Sequence, residues 1–174
     1  MERKITLSQI LYYTFLPMLD RLYTVASTEN GLTYVSPDDG DITILEKLFK
    51  GFTIQEDESI NAESIKQLQE YTQGSRNEFD LVLDIQNGTP FQQSIWKALL
   101  DVPYGRTIHY GALAENINNP KAARAVGGAV GQNPISIIIP CHRIIGKNGS
   151  LTGYNGGINV KMKLLDIEGI QHTG

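Results

Sequence analysis

One cysteine stands in the 174 residues, inside the run Pro140-Cys141-His142-Arg143. A single thiol excludes an internal disulfide framework and any multi-cysteine zinc site. It leaves three roles for Cys141: buried filler, redox sensor or nucleophile. An ordinary thiol of pKa about 8.5 is only a few per cent thiolate at neutral pH, and ionising it needs roughly 2 kcal/mol of electrostatic help. His142 and Arg143 place two candidate cations beside the sulfur in sequence. The β-rich run Ile135-Ser136-Ile137-Ile138-Ile139 predicts a buried strand, and Pro140 forbids its continuation, so Cys141 falls where the chain turns. Far downstream, Glu168 precedes Gly169 at the end of a helical pattern, where a carboxylate opposes the helix dipole; it reads either as an exposed helix-end acid or as one held there for a purpose. Gly146-Lys147-Asn148-Gly149 lacks the spacing of a phosphate-binding P-loop.

The elements that must position these groups lie mostly after a boundary at Asn87-Gly88-Thr89-Pro90. Thr89 as cap, Pro90 at the first helical position and Gln92 three residues after the cap predict a helix start. Phe91, Ile95, Ala98 and Leu99 form its apolar face, and Pro103-Tyr104-Gly105 ends it. A second helix is predicted over 110–117. A third, over 120–131, is launched by Asn119 and Pro120, and the pair resembles a helix-turn-helix. Ala122, Ala123, Ala125, Gly127, Gly128, Ala129 and Gly131 strip this third helix of bulk, and each interior glycine costs about 1 kcal/mol relative to alanine. Either a neighbouring element packs tightly against it, or it is slim enough to enter a DNA groove with Arg124 as its long, permanently charged side chain.

Residues 1–89 read as a mixed module: a hairpin over 22–26 and 32–35 about Glu29-Asn30-Gly31, helices over 42–49 and 62–71, and a strand over 79–85. Ile65, Leu68 and Tyr71 recur at helical spacing, and no reactive cluster gathers here, so this half reads as scaffold. Charge divides along the same line. Residues 1–89 carry 7 basic and 15 acidic side chains, a balance of −8, and residues 90–174 carry 8 and 4, a balance of +4. Such asymmetry fits a nucleic-acid-facing part joined to an acidic one, or simply an uneven solvated surface. No stretch reaches the roughly 18 consecutive apolar residues of a membrane span, and Met1-Glu2-Arg3-Lys4-Ile5 lacks a secretory apolar region; a cytoplasmic protein is expected.

The run Pro140 to Arg143, the preceding Gly131-Gln132-Asn133-Pro134, the slim helix from Asn119 to Ala129 and the loop Gly153-Tyr154-Asn155-Gly156-Gly157 occur in the order and spacing of the O6-alkylguanine-DNA alkyltransferases. The chain resembles that family strongly over residues 88–170, and in strand-helix pattern before them. The resemblance implies an α/β N-terminal ribonuclease-H-like module (residues 1–87) and a mostly α C-terminal winged helix-turn-helix-like DNA-binding and catalytic domain (residues 88–174). It implies irreversible transfer of an alkyl group from O6 of guanine, and from O4 of thymine, to Cys141, once per molecule. His142 would take the thiol proton through a water, Glu168 would orient His142, and Asn133 would brace the turn. Tyr110 would rotate the nucleotide and protonate the leaving guanine. Arg124 would fill the vacated base stack, with Lys121, Ala122, Ala123 and Gly127 along the DNA. Tyr154, Asn155, Gly156, Ile144 and Lys161 would line the base pocket. The resemblance further implies no cofactor, no metal, no membrane, a monomer, and double-stranded DNA bearing alkylated guanine as partner.

Asn155 stands where many members carry serine and Ser136 where some carry proline, which leaves the accepted alkyl size open. The absence of a cysteine cluster argues against a zinc-bearing, methylation-sensing domain, and the presence of Cys141 separates the chain from alkyltransferase-like proteins that only bind damage. Two rivals remain at this level: a helix-turn-helix damage-binding module with an inert Cys141, and a turning-over cysteine hydrolase using Cys141 and His142.

Overall fold

The computed structural model describes residues 9–173; the N-terminal pentapeptide read above lies outside them. The chain opens with β1 (Ile10–Met18), β2 (Arg21–Thr28) and β3 (Gly31–Ser36), followed by α1 (Thr43–Leu48), β4 (Thr53–Glu56) and α2 (Ala62–Thr72). The sheet order is β3-β2-β1-β4, antiparallel except for the parallel β1–β4 pair. The hairpin expected over 22–35 is therefore β2–β3, with a register shift at Ala26/Ser27. β1 escaped the sequence reading because Ile10 to Leu16 is a near-continuous apolar and aromatic run without clean alternation, as befits an inner strand packed on both faces. On one face Leu11, Ala26, Tyr34, Leu45 and Phe49 form a small core under α1.

The strand expected over 79–85 reduces to one bridge, Leu32 to Leu83, with Leu32 N–H donating to Val82 O and Asp84 N–H to Leu32 O. The reason is local. The buried Gln67 side chain takes both backbone groups of Asp80, donating to its carbonyl at 3.1 Å and accepting from its N–H at 2.9 Å, so that stretch cannot ladder with the sheet.

The second half contains α3 (Pro90–Leu99), β5 (Ile108–His109), α4 (Tyr110–Asn116), α5 (Ala123–Gly131), β6 (Ile144–Ile145) and α6 (Ile158–Ile167), with β5 and β6 paired in parallel. Thr89 and Gln92 close a full capping box at the start of α3. Asn119 does not cap as expected: its side chain makes no cap bond, Asn118 turns the chain in the left-handed region (φ 60°), and Pro120–Ala122 form a 3-10 turn before α5. Trp96 crosses from α3 to donate to Ala129 O at 2.8 Å.

The predicted strand over 135–139 is a correction of more consequence. Ile135 bridges to Val35, but Ile137 adopts φ 75°, rarely tolerated by a β-branched residue, and the chain doubles back so that Ile139 N–H donates to Ile135 O. Isoleucine's β preference is overridden by Asn133, which accepts from Ile135 N–H at 3.0 Å and donates to Ile139 O at 2.7 Å. Burial was read correctly: Ile135 to Ile139 are all buried. Two bonds, Val35 N–H to Pro134 O and Ser136 N–H to Val35 O, dock this turn on the edge of β3, so one hydrophobic core runs from Tyr23, Val25 and Val35 through Ile137 to Leu164. Among the described residues no helix is long and apolar enough to cross a membrane.

Gly88 sits at φ 101°, and a Cβ there would lie 2.5 Å from the Trp96 ring. Gly88→Ala is expected to lower unfolding stability by about 2 kcal/mol, combining backbone strain with overpacking. Urea denaturation checks this; an unshifted midpoint would refute it.

Candidate active site

Cys141 follows the Asn133-braced turn and begins a 3-10 turn, Cys141–Arg143. Its N–H donates to Ile139 O at 2.8 Å, and the residue is 5% exposed, so the sulfur lies beneath the surface and not at an open mouth. Burial pushes the thiol pKa up, against the Asn133 amide, the Lys161 ammonium and the Tyr154 hydroxyl, which all favour the thiolate. The cations beside the sulfur are thus not those expected from sequence adjacency. Arg143 is turned away: its Nε donates to Glu168 Oε1 at 2.8 Å, its NH1 to Val102 O at 2.6 Å, and its guanidinium lies 5.7 Å from the Tyr104 ring centre. The cation on the thiol is Lys161. It is no surface lysine but 1% exposed, and it donates to Ile144 O at 2.6 Å and Thr152 O at 3.2 Å. Burial pulls its pKa down while the facing Cys141 raises it.

Glu168 caps the C-terminus of α6 and collects four donors, two on each oxygen. Oε1 accepts from Arg143 Nε and from Gly105 N–H at 2.9 Å; Oε2 accepts from His142 Nε2 and from the Tyr71 hydroxyl at 2.6 Å. Burial alone would raise the carboxyl pKa, but bonding and attraction to His142, then the Tyr71 and Gly105 bonds, bring it down to about 2. Burial lowers the His142 pKa despite the pull of Glu168. The pair rests as a carboxylate facing a neutral imidazole, with His142 Nδ1 buried and unpartnered among the described residues.

Tyr110 opens α4, half-buried; its hydroxyl accepts from Thr152 Oγ1 at 3.3 Å, and its ring lies against the position a Cβ on Gly127 would take. Along α5 and the turn before it, Lys121 and Arg124 are exposed, Ala122, Ala123 and Gly127 half-buried. Nothing lies within 4 Å of a Cβ built on Gly128 or Gly131, so packing inside the chain does not demand those two glycines. In the loop before α6, the Tyr154 hydroxyl is buried and faces Cys141, and burial and the charge of that thiolate raise its pKa. Asn155 is exposed, its amide 3.5 Å from Ser36 Oγ; Gly156 O accepts from Arg21 NH1 at 2.7 Å. Arg21 also grips Asp39 with two bonds and Pro37 O at 2.7 Å, so the first domain holds this loop. Ile144 is buried in β6.

The structure thus gathers Cys141, Asn133, Lys161 and Tyr154 around the sulfur, and His142 with Glu168 behind it; Tyr110 joins the loop to α5, while Arg124 stands apart on the surface. Sequence reasoning missed Tyr71, Tyr23 and Arg21, all from the half read as scaffold. The Tyr23 hydroxyl is buried, unpartnered among the described residues, and close enough to Cys141 to feel its charge. Only hydrophobic spacing marked Tyr71, and that signal says core.

With the sulfur buried, the rate of iodoacetamide modification of Cys141 is expected to rise with pH through a midpoint above the ordinary value of about 8.5. A midpoint below 8 would contradict the balance described.

Residues 11–85 match the model of the 6-O-methylguanine DNA methyltransferase ribonuclease-like domain, and residues 90–170 that of its DNA binding domain. The inducible methylated-DNA–protein-cysteine methyltransferase of Bacillus subtilis is 42% identical over 91% of this chain and 90% of its own length. A Methanosarcina acetivorans methylated-DNA–protein-cysteine methyltransferase is 46% identical over 83% of this chain and 90% of its own. Among solved structures, Mycobacterium tuberculosis OGT in complex with DNA superposes with a TM-score of 0.80 at 42% identity, covering 90% of this chain and 92% of that one. With a ribonuclease-like domain followed by a DNA-binding domain, the two matches together spanning most of the chain, it belongs to the 6-O-methylguanine DNA methyltransferase family.

Proposed function

We propose that Cys141 is the residue through which this chain repairs DNA, receiving an alkyl group from O6 of guanine, and from O4 of thymine, in a single irreversible event. The observation that carries this reading is the buried cysteine followed by a neutral histidine whose Nε2 is taken by an ionised, four-bonded carboxylate, leaving Nδ1 without a partner among the described residues. A thiol held protonated by burial needs a base at the moment of transfer, and His142, oriented by Glu168, fills that role through an intervening water. As the S–C bond forms, the C–O6 bond breaks, and Tyr110 supplies the proton that leaves with guanine. The product thioether has no neighbour able to hydrolyse it, so each molecule acts once. No cofactor or metal takes part.

The base must leave the duplex to meet the sulfur. α4 and α5 serve as a winged helix-turn-helix, with α5 in the groove, Lys121, Ala122, Ala123 and Gly127 along the backbone and Arg124 in the vacated stack. The exposed Arg124 and the uncrowded Gly128 support this, since internal packing asks for neither. Because the site is closed, the 153–157 loop moves to admit the nucleotide, and Tyr154, Asn155, Gly156, Ile144 and Lys161 then wall it. The division at residue 87/88 is supported by family matches ending at 85 and resuming at 90. Action as a monomer in the cytoplasm completes the proposal.

After incubation with duplex bearing O6-methylguanine, intact-mass analysis is expected to show one added CH2 on Cys141 and none on Cys141→Ser. More than one methyl removed per protein would favour a hydrolase; none would favour an inert binding module. Arg124→Ala is expected to slow repair in duplex about tenfold or more while sparing transfer from free alkylguanine. Equal losses on both would remove Arg124 from the stack.

A further inference from the structure

Tyr71 belongs to α2 of the ribonuclease-like domain, yet its side chain ends inside the active site of the other. It is fully buried, its ring 5.3 Å from Phe79, 6.2 Å from Tyr104 and 6.5 Å from His142 between ring centres. A phenol has one proton to give, and Tyr71 gives it to Glu168 Oε2 at 2.6 Å. The same phenol oxygen lies 3.3 Å from His142 Nε2, so its lone pairs face that nitrogen. His142 Nε2 therefore sees two acceptors, a carboxylate oxygen and a phenol oxygen already committed as donor. Only a protonated Nε2 satisfies both, and in a neutral ring the basic nitrogen is then Nδ1.

We propose that Tyr71 is a positioning residue for the alkyl transfer: by donating to Glu168 Oε2 it fixes His142 as the Nε2–H tautomer and restrains the carboxylate's pull, keeping the imidazole neutral and Nδ1 ready to accept a proton. This rests on the reading of His142 as the base. The groups acting on His142 are Lys161 from α6, Glu168 at its C-terminal cap, Tyr71 from α2 and Arg143 from its own turn. Of these, Tyr71 alone is a neutral donor to the oxygen His142 uses. Removing it concentrates negative charge on the remaining N–H, which favours imidazolium.

Tyr71→Phe keeps the ring and removes the donor. The expected result is a His142 titration midpoint raised by about one pH unit, the scale of one hydrogen bond to a charged group, read by NMR of ring-labelled histidine. The acid limb of the alkyl-transfer rate should move up equally, making transfer roughly tenfold slower on that limb. Tyr104→Phe, which loses only a bond to Ile167 O, should move neither. An unchanged midpoint in folded Tyr71→Phe overturns the proposal. The wild-type protein supplies a second decision that needs no variant: nitrogen shifts placing the neutral proton on Nε2 support the assignment, and a proton on Nδ1 overturns it even if Tyr71→Phe fails to fold. The titration uses no DNA, so a protein that titrates as expected yet accepts no alkyl group would count against the function of Cys141 and not against the role of Tyr71.

Discussion

The Glu168 carboxylate is the point on which the site is hung. Its four donors come from α2, from the segment after α3 and from two residues of the cysteine turn, so one buried charge ties together three stretches distant in sequence. A buried carboxylate survives only if nearly every lone pair is used, and breaking such a group by deleting one partner costs on the order of 3–5 kcal/mol. The fold therefore specifies the orientation of His142 through the same bonds that keep an ion out of water.

That arrangement explains why the two domains share a core. The Asn133-braced turn that leads to Cys141 docks on β3 through Val35, and the loop carrying Tyr154 is held by Arg21 of β2. Lys163 on α6 also pairs with Asp20 in the β1–β2 turn. The thiol is buried in the core that residues of both domains share, and burial raises its pKa. A thiol whose pKa is raised carries less thiolate at neutral pH.

Much of the second domain was legible residue by residue. Thr89, Pro90 and Gln92 announce α3 because capping is local chemistry, and Pro140 places Cys141 on a turn because it cannot extend a ladder. What failed were features decided at long range. The isoleucines around Ser136 look like strand until Asn133 diverts their hydrogen bonds, Arg143 looks like a partner for the sulfur until Glu168 claims it, and Lys161 looks like a solvated helix lysine until its ammonium is found on two backbone carbonyls. Tyr71 fits the apolar face of α2 so well that its hydroxyl goes unnoticed. Polar atoms with distant partners leave no periodic trace.

The Arg21 grip on Gly156 couples the two halves of the chain. Arg21 sits in the first domain and its carbonyl partner in the second, so the latch and the loop it holds come from opposite sides of the linker before Thr89. A change in either half that shifts this guanidinium or this carbonyl is therefore felt across the domain boundary.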